Sequence, residues 1–410
     1  MQTEKLYYED AFMKQFTARV LSCETREGLY WITLDRTAFY PEGGGQPADH
    51  GVLDIAAVTD VQENRDGVIY HICDRPFKAN QTVTGRVNWT RRFDHMQQHS
   101  GEHIISGILC DTFQCDNVGF HLGSRTVTID YNAPITWKQA LAAERKANQI
   151  IWEDRDVEIT WPSKEELAVL PYRSKKAIER NVRIVTFPEA DRCACCGTHV
   201  KRAGQVGLVK ILSCQKFHEG VRLELLCGKR AFDYLAASYE QDKGIGQLLS
   251  VKPEETLMAV RKLKSDMSDM QSRVAAMEEN VFSFIARTRN GKGDVLIFQD
   301  SMRPESARRL ADAVAHECGG LAAVFSEQEA KPEPGAFWQS QSQEDSENQK
   351  SDYIYALVRA DGGEIPVKEL NQALSGRGGG RNGFAQGGVH ANRDEIELFF
   401  KQRYENIEIN

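Results

Sequence analysis

The chain has 410 residues and a mass of 46.2 kDa, a length that suits two to four domains. Charged residues make up 27% and hydrophobic residues 41%, which is typical of folded proteins and excludes collagen-like and wholly disordered chains. The net charge of −8 excludes a uniformly basic coat for nucleic acid, although a local basic face is compatible with it.

The N-terminus lacks the features of an export signal, because charged residues from Glu4 to Lys14 interrupt any apolar stretch. No run of 18 residues is free of polar interruptions, so we expect no membrane span and a cytoplasmic protein. Ten cysteines are too sparse for a disulfide scaffold. Three of them, Cys193, Cys195 and Cys196, crowd together and call for a chemical explanation.

The first segment, residues 1–90, alternates apolar and polar residues, as in Phe16, Ala18 and Val20. Turn-forming residues at 26–28, 49–51 and 66–67 separate these runs. The pattern is typical of a small barrel or sandwich, and we predict a β-barrel domain.

The second segment, residues 91–242, mixes the two periodicities and is predicted to be α+β. We expect helices at 95–110, 138–152 and 229–241, a strand at 125–131 and a hairpin over 206–227 that turns at 218–220. Ser163 followed by Glu166 predicts a further helix start.

The third segment, residues 243–288, carries a heptad seam. Its apolar positions are Val260, Leu263, Met267, Met270, Val274, Met277, Val281 and Phe284. A helix of about 30 residues is roughly 45 Å long. The seam needs a partner, which is either an antiparallel helix of this chain or, as we favour, a second copy in a homodimer through residues 257–288.

The fourth segment, residues 289–410, is predicted to be an α/β domain with strands at 294–298 and 353–358 around a helix at 304–317. Residues 326–352 are acidic and poor in apolar side chains, so we expect a mobile loop. The fold class is therefore α+β and multidomain.

Two short fragments contain metal-ligating residues. His99 and His103 lie four residues apart, on one face of a helix, and Cys195 and His199 follow across a glycine-containing turn. Three imidazoles and a thiolate suit tetrahedral zinc, and we predict one Zn²⁺ per chain. Two alternatives stay open: a Cys193–Cys196 pair with Cys195 as a bystander, and polar histidines without a metal.

An HxxxH motif followed about 90 residues later by C-x-G-T-H resembles the editing domain of alanyl-tRNA synthetases and of the freestanding alanyl-tRNA editing proteins of the AlaX type. The segment from Thr37 to Gly51 is similar to that family's T-x-F-Y-x-E-x-G-G-Q-x-x-D-x-G pattern. Residues 376–388 resemble the glycine-rich signature of the DHHA1-like C-terminal domain that the synthetases share with DHH-type phosphoesterases. The resemblance covers nearly the whole chain and is of the long AlaX type.

The resemblance implies an aminoacyl-tRNA deacylase that acts in trans on tRNA(Ala) mischarged with serine, and with glycine as a second candidate. The chain reaches the threonine segment by residue 37 and contains no DHH triplet, so we expect neither tRNA charging nor phosphoesterase activity. Such an editing step is needed because a pocket for alanine cannot exclude glycine and rejects serine only about a hundredfold.

Within the threonine segment we expect Thr37 to bond the serine hydroxyl and Gln46 to bond substrate or backbone. Gly43, Gly44 and Gly45 would let the backbone approach the substrate closely. The zinc would polarise the ester carbonyl, activate water or hold the α-amino group. Because four protein ligands are typical of a closed site, we expect one ligand to loosen when substrate binds.

Two regions are candidates for contact with tRNA phosphates. Residues 173–183, which include Arg173, Lys175 and Lys176, hold five bases and one acid. The second region is expected to form an anion-binding loop, and its residues are Arg377, Gly378, Gly379, Gly380 and Arg381. The alternatives are a solvated helix face for the first and a flexible linker for the second.

Three functions remain open at this point. The leading hypothesis is trans-editing of Ser-tRNA(Ala). The second is an RNA-binding protein with a structural zinc, and the third is a zinc hydrolase of another small aminoacyl ester. Deacylation assays on a substrate panel separate them.

Overall fold

The computed structural model describes residues 2–174, 182–328 and 350–410. Lys175, Lys176 and most of the expected mobile loop at 326–352 lie outside the described residues. The chain divides into two compact units, Met1–Leu248 and Leu249–Asn410. These units are coarser than the four predicted segments, whose boundaries stay predictions. In the described ranges, no helix has the length and apolar character needed to cross a membrane.

The first unit contains the following elements in chain order: β1 (Glu4–Lys5), α1 (Leu6–Glu9), β2 (Gln15–Arg26), β3 (Leu29–Leu34), β4 (Arg36–Thr37), β5 (Gly51–Leu53), β6 (Ala56–Glu63), β7 (Ile69–Cys73), β8 (Thr82–Val87), α2 (Trp89–Phe113), β9 (Asn117–Leu122), β10 (Val127–Tyr131), α3 (Trp137–Glu153), β11 (Glu158–Thr160), α4 (Lys164–Val169), β12 (Ile184–Phe187), β13 (Asp191–Ala194), β14 (Val209–Phe217), β15 (Gly220–Cys227) and α5 (Gly228–Leu249).

The predicted barrel is confirmed. Six strands close in the order β2-β3-β7-β6-β5-β8. Along β2 the side chains of Phe16, Ala18 and Val20 are buried while their neighbours are exposed, so alternate residues line the interior. Glu27 and Gly28, both with positive φ, make the tight turn to β3.

Helix α2 lies at the centre of the rest of this unit. It packs on a four-stranded antiparallel sheet, β14-β15-β10-β9, and on α3 and β13. It begins six residues before the predicted start, because Asn88 caps its first turn by accepting a hydrogen bond from the Arg91 N–H. Most of its residues are buried, including many polar ones, so the helix supplies interior functional groups as well as core.

A buried ion pair connects α2 to the barrel. Arg92 and Asp49 are both 0% exposed, and the Arg92 guanidinium donates to both carboxylate oxygens of Asp49. The same guanidinium donates to the carbonyl oxygens of Ala11 and Ala38 at 2.8 and 2.6 Å. Asp49 also accepts from the Tyr40 N–H. Since every charged group in this pair is satisfied, the burial of both charges is tolerated.

The second unit contains α6 (Thr256–Thr288), β16 (Gly293–Asp300), α7 (Pro304–Cys318), β17 (Gly319–Glu327), β18 (Ser351–Arg359), α8 (Val367–Ala373), β19 (Arg377–Arg381), β20 (Phe384–Ala391), α9 (Arg393–Lys401) and β21 (Glu408–Ile409). One mixed sheet runs in the order β19-β20-β18-β17-β16-β21. Helix α7 covers one face, while α8 and α9 cover the other. This arrangement confirms the predicted mixture of helix and strand.

The prediction of a glycine-rich loop over residues 376–388 is wrong. Its residues form a hairpin in which β19 pairs antiparallel with β20, from Arg377↔Gly388 to Arg381↔Phe384. Positive φ within the segment is confined to the turn residues Asn382 and Gly383. The consecutive free N–H groups of an anion nest are therefore not formed here.

The long helix predicted from the heptad pattern is confirmed as α6, and its seam is exposed. Phe282 and Ala286, near its end, are buried against α7. The seam positions from Val260 to Phe284 are 44% to 70% exposed. The homodimer through residues 257–288 stays a prediction.

We expect Asp49→Asn to lower the free energy of unfolding by about 3–5 kcal/mol, because it leaves the Arg92 charge buried without a counter-charge. Urea denaturation of the full chain measures this. The matched control is Glu24→Gln, which removes an exposed partner of Arg26 and should change stability by less than about 1 kcal/mol. Equal effects of the two changes would contradict a special role for the buried pair.

Candidate metal centre

Both predicted metal-ligating fragments meet in the structure. His99 and His103 lie one turn apart on α2, and Cys195 and His199 lie just after β13. One ligand atom from each of these four residues lies within 4.8 Å of the others. The three histidines are 1–2% exposed, and Cys195 is half-buried. The cluster could therefore bind a metal ion.

The spacing of the ligand atoms fits a single tetrahedral ion. Cys195 Sγ lies 3.5 Å from His99 Nε2 and 3.3 Å from His199 Nε2. Bonds of about 2.0 Å to nitrogen and 2.3 Å to sulfur place a tetrahedral nitrogen and sulfur about 3.5 Å apart. These two pairs of donor atoms are therefore already close to the separation that an ion would impose.

Hydrogen bonds on the far side of each ring orient the imidazoles. His99 Nδ1 donates to Gln46 Oε1 at 2.9 Å, and His103 Nδ1 donates to Asp191 Oδ2 at 2.8 Å. His199 Nδ1 lies 3.1 Å from Ser100 Oγ. Because an amide oxygen and a carboxylate only accept, the first two rings donate through Nδ1 and turn Nε2 toward the cluster.

The cluster favours a thiolate. Burial raises the pKa of the Cys195 thiol, but the charges of His99, His199 and His103 outweigh burial and hold that pKa well below its usual value. Burial lowers the pKa of His103, while Cys195 and the Asp191 hydrogen bond raise it to about 10. The four residues would hold a metal ion through the Cys195 thiolate and through a His103 ring that had released its Nε2 proton.

Glycine at position 197 is required by the close approach of the two fragments. A Cβ atom there would lie 2.2 Å from His99 Cε1 and 3.0 Å from Gln46 Oε1. The glycine of the C-x-G-T-H motif therefore leaves room for the ring of the first ligand. The turn is further held by Arg183, which donates to the carbonyl oxygens of Cys195 and Gly197 at 2.8 and 3.0 Å.

The structure places Cys195, rather than a Cys193–Cys196 pair, among the three imidazoles. Cys193 is buried on the strand beside Asp191, and Cys196 is exposed. The described residues therefore favour the ligand set His99, His103, Cys195 and His199 over the alternative pair.

Gln46 has a different environment from the one expected of a substrate contact. It is fully buried, and its Oε1 accepts from His99 and from the Thr198 N–H at 3.2 Å. Its Nε2 donates to Thr198 Oγ1 at 2.9 Å. Gln46 thereby connects the barrel segment to both metal fragments. Gly43 and Gln46 close a tight turn through two backbone hydrogen bonds of 3.1 and 3.0 Å.

The central glycines of that turn, Gly44 and Gly45, have positive φ values of 59° and 85°. A Cβ atom on Gly45 would lie 2.5 Å from the Phe120 ring, and Phe120 in turn stacks on His99. The glycine segment thus packs close to the cluster, and its predicted close approach to substrate stays a prediction.

Thr37 lies at the end of β4 and is 0% exposed. His71 Nδ1 is 3.1 Å from the Ile32 carbonyl oxygen, which only accepts, so Nδ1 carries the proton. Burial lowers the pKa of His71 to about 4, and the ring is neutral at pH 7. Its Nε2 therefore accepts from the Thr37 hydroxyl at 2.8 Å.

Sequence reasoning assigned Arg173 and Arg183 to a basic surface, and both instead support the centre. Arg173 donates to Asp191 through Nε at 2.7 Å and Nη2 at 2.9 Å. It thereby fixes the carboxylate that orients His103. Asp191 itself was missed, since no local pattern links it to a histidine 88 residues away. Glu102 was also missed, although it lies within the HxxxH motif; its Oε2 is 4.0 Å from His103 Nε2.

Comparisons with known proteins identify the family. Residues 2–91 match the family described as tRNA synthetases class II (A), and residues 182–223 match the threonyl and alanyl tRNA synthetase second additional domain. The alanyl-tRNA editing protein Aarsd1-B of Xenopus laevis is 30% identical over 70% of this chain and 71% of its own length. This chain belongs to the alanyl-tRNA editing proteins. Members of that family are hydrolases that deacylate mischarged tRNA, so the chain is an enzyme of that class.

Two further relatives show the extent of the similarity. The alanyl-tRNA editing protein AlaX-L of Pyrococcus horikoshii is 26% identical over 96% of this chain and 96% of its own length. The alanine–tRNA ligase of Pyrococcus abyssi is 34% identical over 72% of this chain, but over only 35% of its own length. This editing protein therefore spans about a third of the ligase.

We expect Asp191→Asn to weaken zinc binding by about 10- to 100-fold, because His103 loses the carboxylate that orients its ring. Competition with a chromophoric chelator measures the affinity of the full chain for added zinc, and circular dichroism monitors folding. Glu189→Gln, an exposed carboxylate on the same turn, is the matched control and should bind zinc as the wild type does. Wild-type affinity in the Asp191 variant would contradict the orienting role.

Proposed function

We propose that this editing protein hydrolyses the ester of tRNA(Ala) mischarged with serine, and of tRNA(Ala) carrying glycine, at a centre with one zinc ion per chain. One observation carries the proposal: the Gln46–His99 hydrogen bond of 2.9 Å joins the threonine–glycine segment to the metal cluster. The relatives named for alanyl-tRNA editing support tRNA(Ala) as the substrate class.

Zinc is the proposed ion because three imidazoles and one thiolate form a nitrogen and sulfur set that suits it. Zinc in such a site supplies Lewis-acid stabilisation of charge that develops on the ester oxygen. The chain's own residues supply position: Gln46, Ser100 and Asp191 hold the three rings, and Arg183 holds the turn that presents Cys195. Cys195, the half-buried member, is the ligand we propose to loosen when substrate binds.

Selection of serine is assigned to Thr37. The Thr37 hydroxyl donates a hydrogen bond to His71, and its oxygen accepts one from the Phe39 N–H at 3.1 Å. One lone pair of the Thr37 oxygen is therefore still able to accept a hydrogen bond. A serine hydroxyl would donate to that lone pair, whereas alanine has no hydroxyl to donate. Since Thr37 is fully buried, this contact requires the side chains that cover it to move.

Contact with tRNA is assigned to the hairpin of the second unit and to residues outside the described ranges. Strand β19 is exposed at the edge of its sheet and consists of Arg377, Gly378, Gly379, Gly380 and Arg381. An edge strand presents backbone donors as well as the two guanidinium groups to a phosphate backbone. Lys175 and Lys176 remain proposed contacts. Arg173 is left out, because its guanidinium is committed to Asp191.

The test is hydrolysis of Ser-, Gly- and Ala-tRNA(Ala) by the full chain, with and without a zinc chelator. We expect rapid hydrolysis of the seryl ester, slower hydrolysis of the glycyl ester, little of the alanyl ester, and loss of activity with chelator. If the seryl ester stays intact without chelator, the proposal is wrong. Chelator-resistant hydrolysis would leave zinc a structural role, and hydrolysis of unrelated aminoacyl esters alone would favour the broader zinc hydrolase.

Thr37→Val should reduce the preference for the seryl over the alanyl ester by about 10-fold or more, because the variant keeps the shape and loses the acceptor. Thr17→Val, on the exposed face of the barrel strand β2, is the control and should keep the wild-type preference. Zinc content is measured for both variants. An unchanged preference in a folded, zinc-loaded Thr37 variant would remove Thr37 from substrate selection.

A further inference from the structure

A cavity of about 730 Å³ lies in the first unit beside the metal centre. Pro47, which follows Gln46, lines one side of it, and His95, one helical turn before His99, lines another. Its size falls within the range of small-ligand sites, so it has room for a nucleotide.

Among the residues that the structure describes, the walls of this cavity carry one cation without an acidic partner. Lys229 is paired with Asp233 at 2.5 Å, and Arg230 is paired with Asp94 at 2.6 Å. Arg91 donates through Nε to the Ala48 carbonyl oxygen, and within the described ranges no carboxylate lies in ion-pair distance of it. The surplus charge of the walls is therefore positive and resides on Arg91.

Two further groups suit a nucleotide. Trp89 and Phe93 line the cavity and stack on each other with ring centroids 5.5 Å apart, and the Lys14 ammonium lies 4.6 Å from the Trp89 centroid, so a base would meet the edges of this aromatic pair. His95 is 2% exposed, and its Nδ1 has no hydrogen-bond partner among the described residues. A buried ring nitrogen without a partner costs free energy, which a ligand's hydroxyl or amino group would recover.

A second, smaller cavity of about 390 Å³ adjoins the first, since His50 and Asn88 line both. Arg86 lines this second cavity, is exposed, and donates only weakly to Gln15 at 3.4 Å. Arg86 and Arg91 thus place in each part of a continuous path a positive charge that no carboxylate of the described residues pairs with. Such a path suits consecutive phosphates of a single strand.

Another cavity of about 850 Å³ in this unit has the opposite charge. The charged residues that line it, within the described part of the chain, are Asp111, Asp116, Glu158, Glu189, Asp191, Arg173 and Arg192. Five acids against two arginines would repel a phosphate, so the charges favour the first cavity.

We propose that the cavity beside the metal centre binds a nucleotide at the single-stranded 3′ end of an RNA substrate, with the base against the edges of Trp89 and Phe93 and the phosphates on Arg91 and Arg86. This assignment rests on the proposed function in taking that RNA to be aminoacyl-tRNA. It gives the first unit its own contact with the RNA end, next to the residues proposed for hydrolysis.

The test is fluorescence anisotropy on the full chain with two uncharged probes: a tRNA(Ala) acceptor minihelix ending in single-stranded CCA, and the same minihelix with a blunt end. We expect Arg91→Ala to weaken binding of the CCA probe by about 5- to 10-fold and to lower the slope of log affinity against log salt by about 0.7, the value for one phosphate of a single strand. The blunt probe should bind the variant as it binds the wild type.

Arg86→Ala provides a second variant with no structural hydrogen bond of note, and Arg65→Ala, an exposed barrel arginine that lines neither cavity, provides the control. We expect Arg86→Ala to weaken binding of the CCA probe alone, as Arg91→Ala does. Arg65→Ala should leave the binding of both probes unchanged. Equal losses on both probes, or no loss in either cavity variant, would overturn the inference.

Deacylation kinetics separate this inference from the proposed function. If the wild type hydrolyses Ser-tRNA(Ala) and both cavity variants keep its KM, the nucleotide site is wrong while the editing function stands. If the wild type leaves the ester intact but the selective loss on the CCA probe is seen, the nucleotide site stands and the editing function fails.

Discussion

The centre of this protein depends on three buried imidazoles and a half-buried thiolate whose ligand atoms lie within 4.8 Å of one another. Such a set is costly to bury unless each ring is oriented and the negative sulfur is balanced. The protein meets both conditions, because Gln46, Ser100 and Asp191 bond the outer ring nitrogens and the charges of the histidines stabilise the thiolate. The site is thus organised for a cation by its surroundings.

The barrel and the central helix make this geometry reproducible. Arg92 and Asp49 fix the start of α2 to the barrel, and Gln46, three residues before Asp49, reaches the first histidine of the same helix. The threonine–glycine segment and the histidine fragment are therefore parts of one rigid connection. For this reason, a substitution that shifts the barrel segment should also shift the position of the His99 ring at the metal centre.

Residue chemistry and periodicity predicted much of the molecule. Alternation of Phe16, Ala18 and Val20 predicted the barrel, and the heptad seam predicted α6. The meeting of His99, His103, Cys195 and His199 was predictable because three imidazoles and a thiolate form a nitrogen and sulfur set that suits a metal ion.

The failures share one cause, which is that the deciding partner is far away in sequence. The run containing Arg173 and Arg183 was interpreted as surface, because the carboxylate and carbonyl groups that engage these arginines are not local. The glycines at 378 and 380 suggested a loop, whereas they allow close packing: a Cβ on Gly378 would lie 2.1 Å from the Tyr355 hydroxyl. The end of α5 is a separate failure with a local cause, because the helix continues to Leu249 through two glycines that would ordinarily weaken it.

The central claim is that one cation is bound by three histidine nitrogens and a single cysteine sulfur. X-ray absorption at the zinc edge of the zinc-loaded full chain tests it most directly. The account predicts three nitrogen neighbours at about 2.0–2.1 Å and one sulfur at about 2.3 Å. A spectrum that requires two sulfurs, or none, would contradict it.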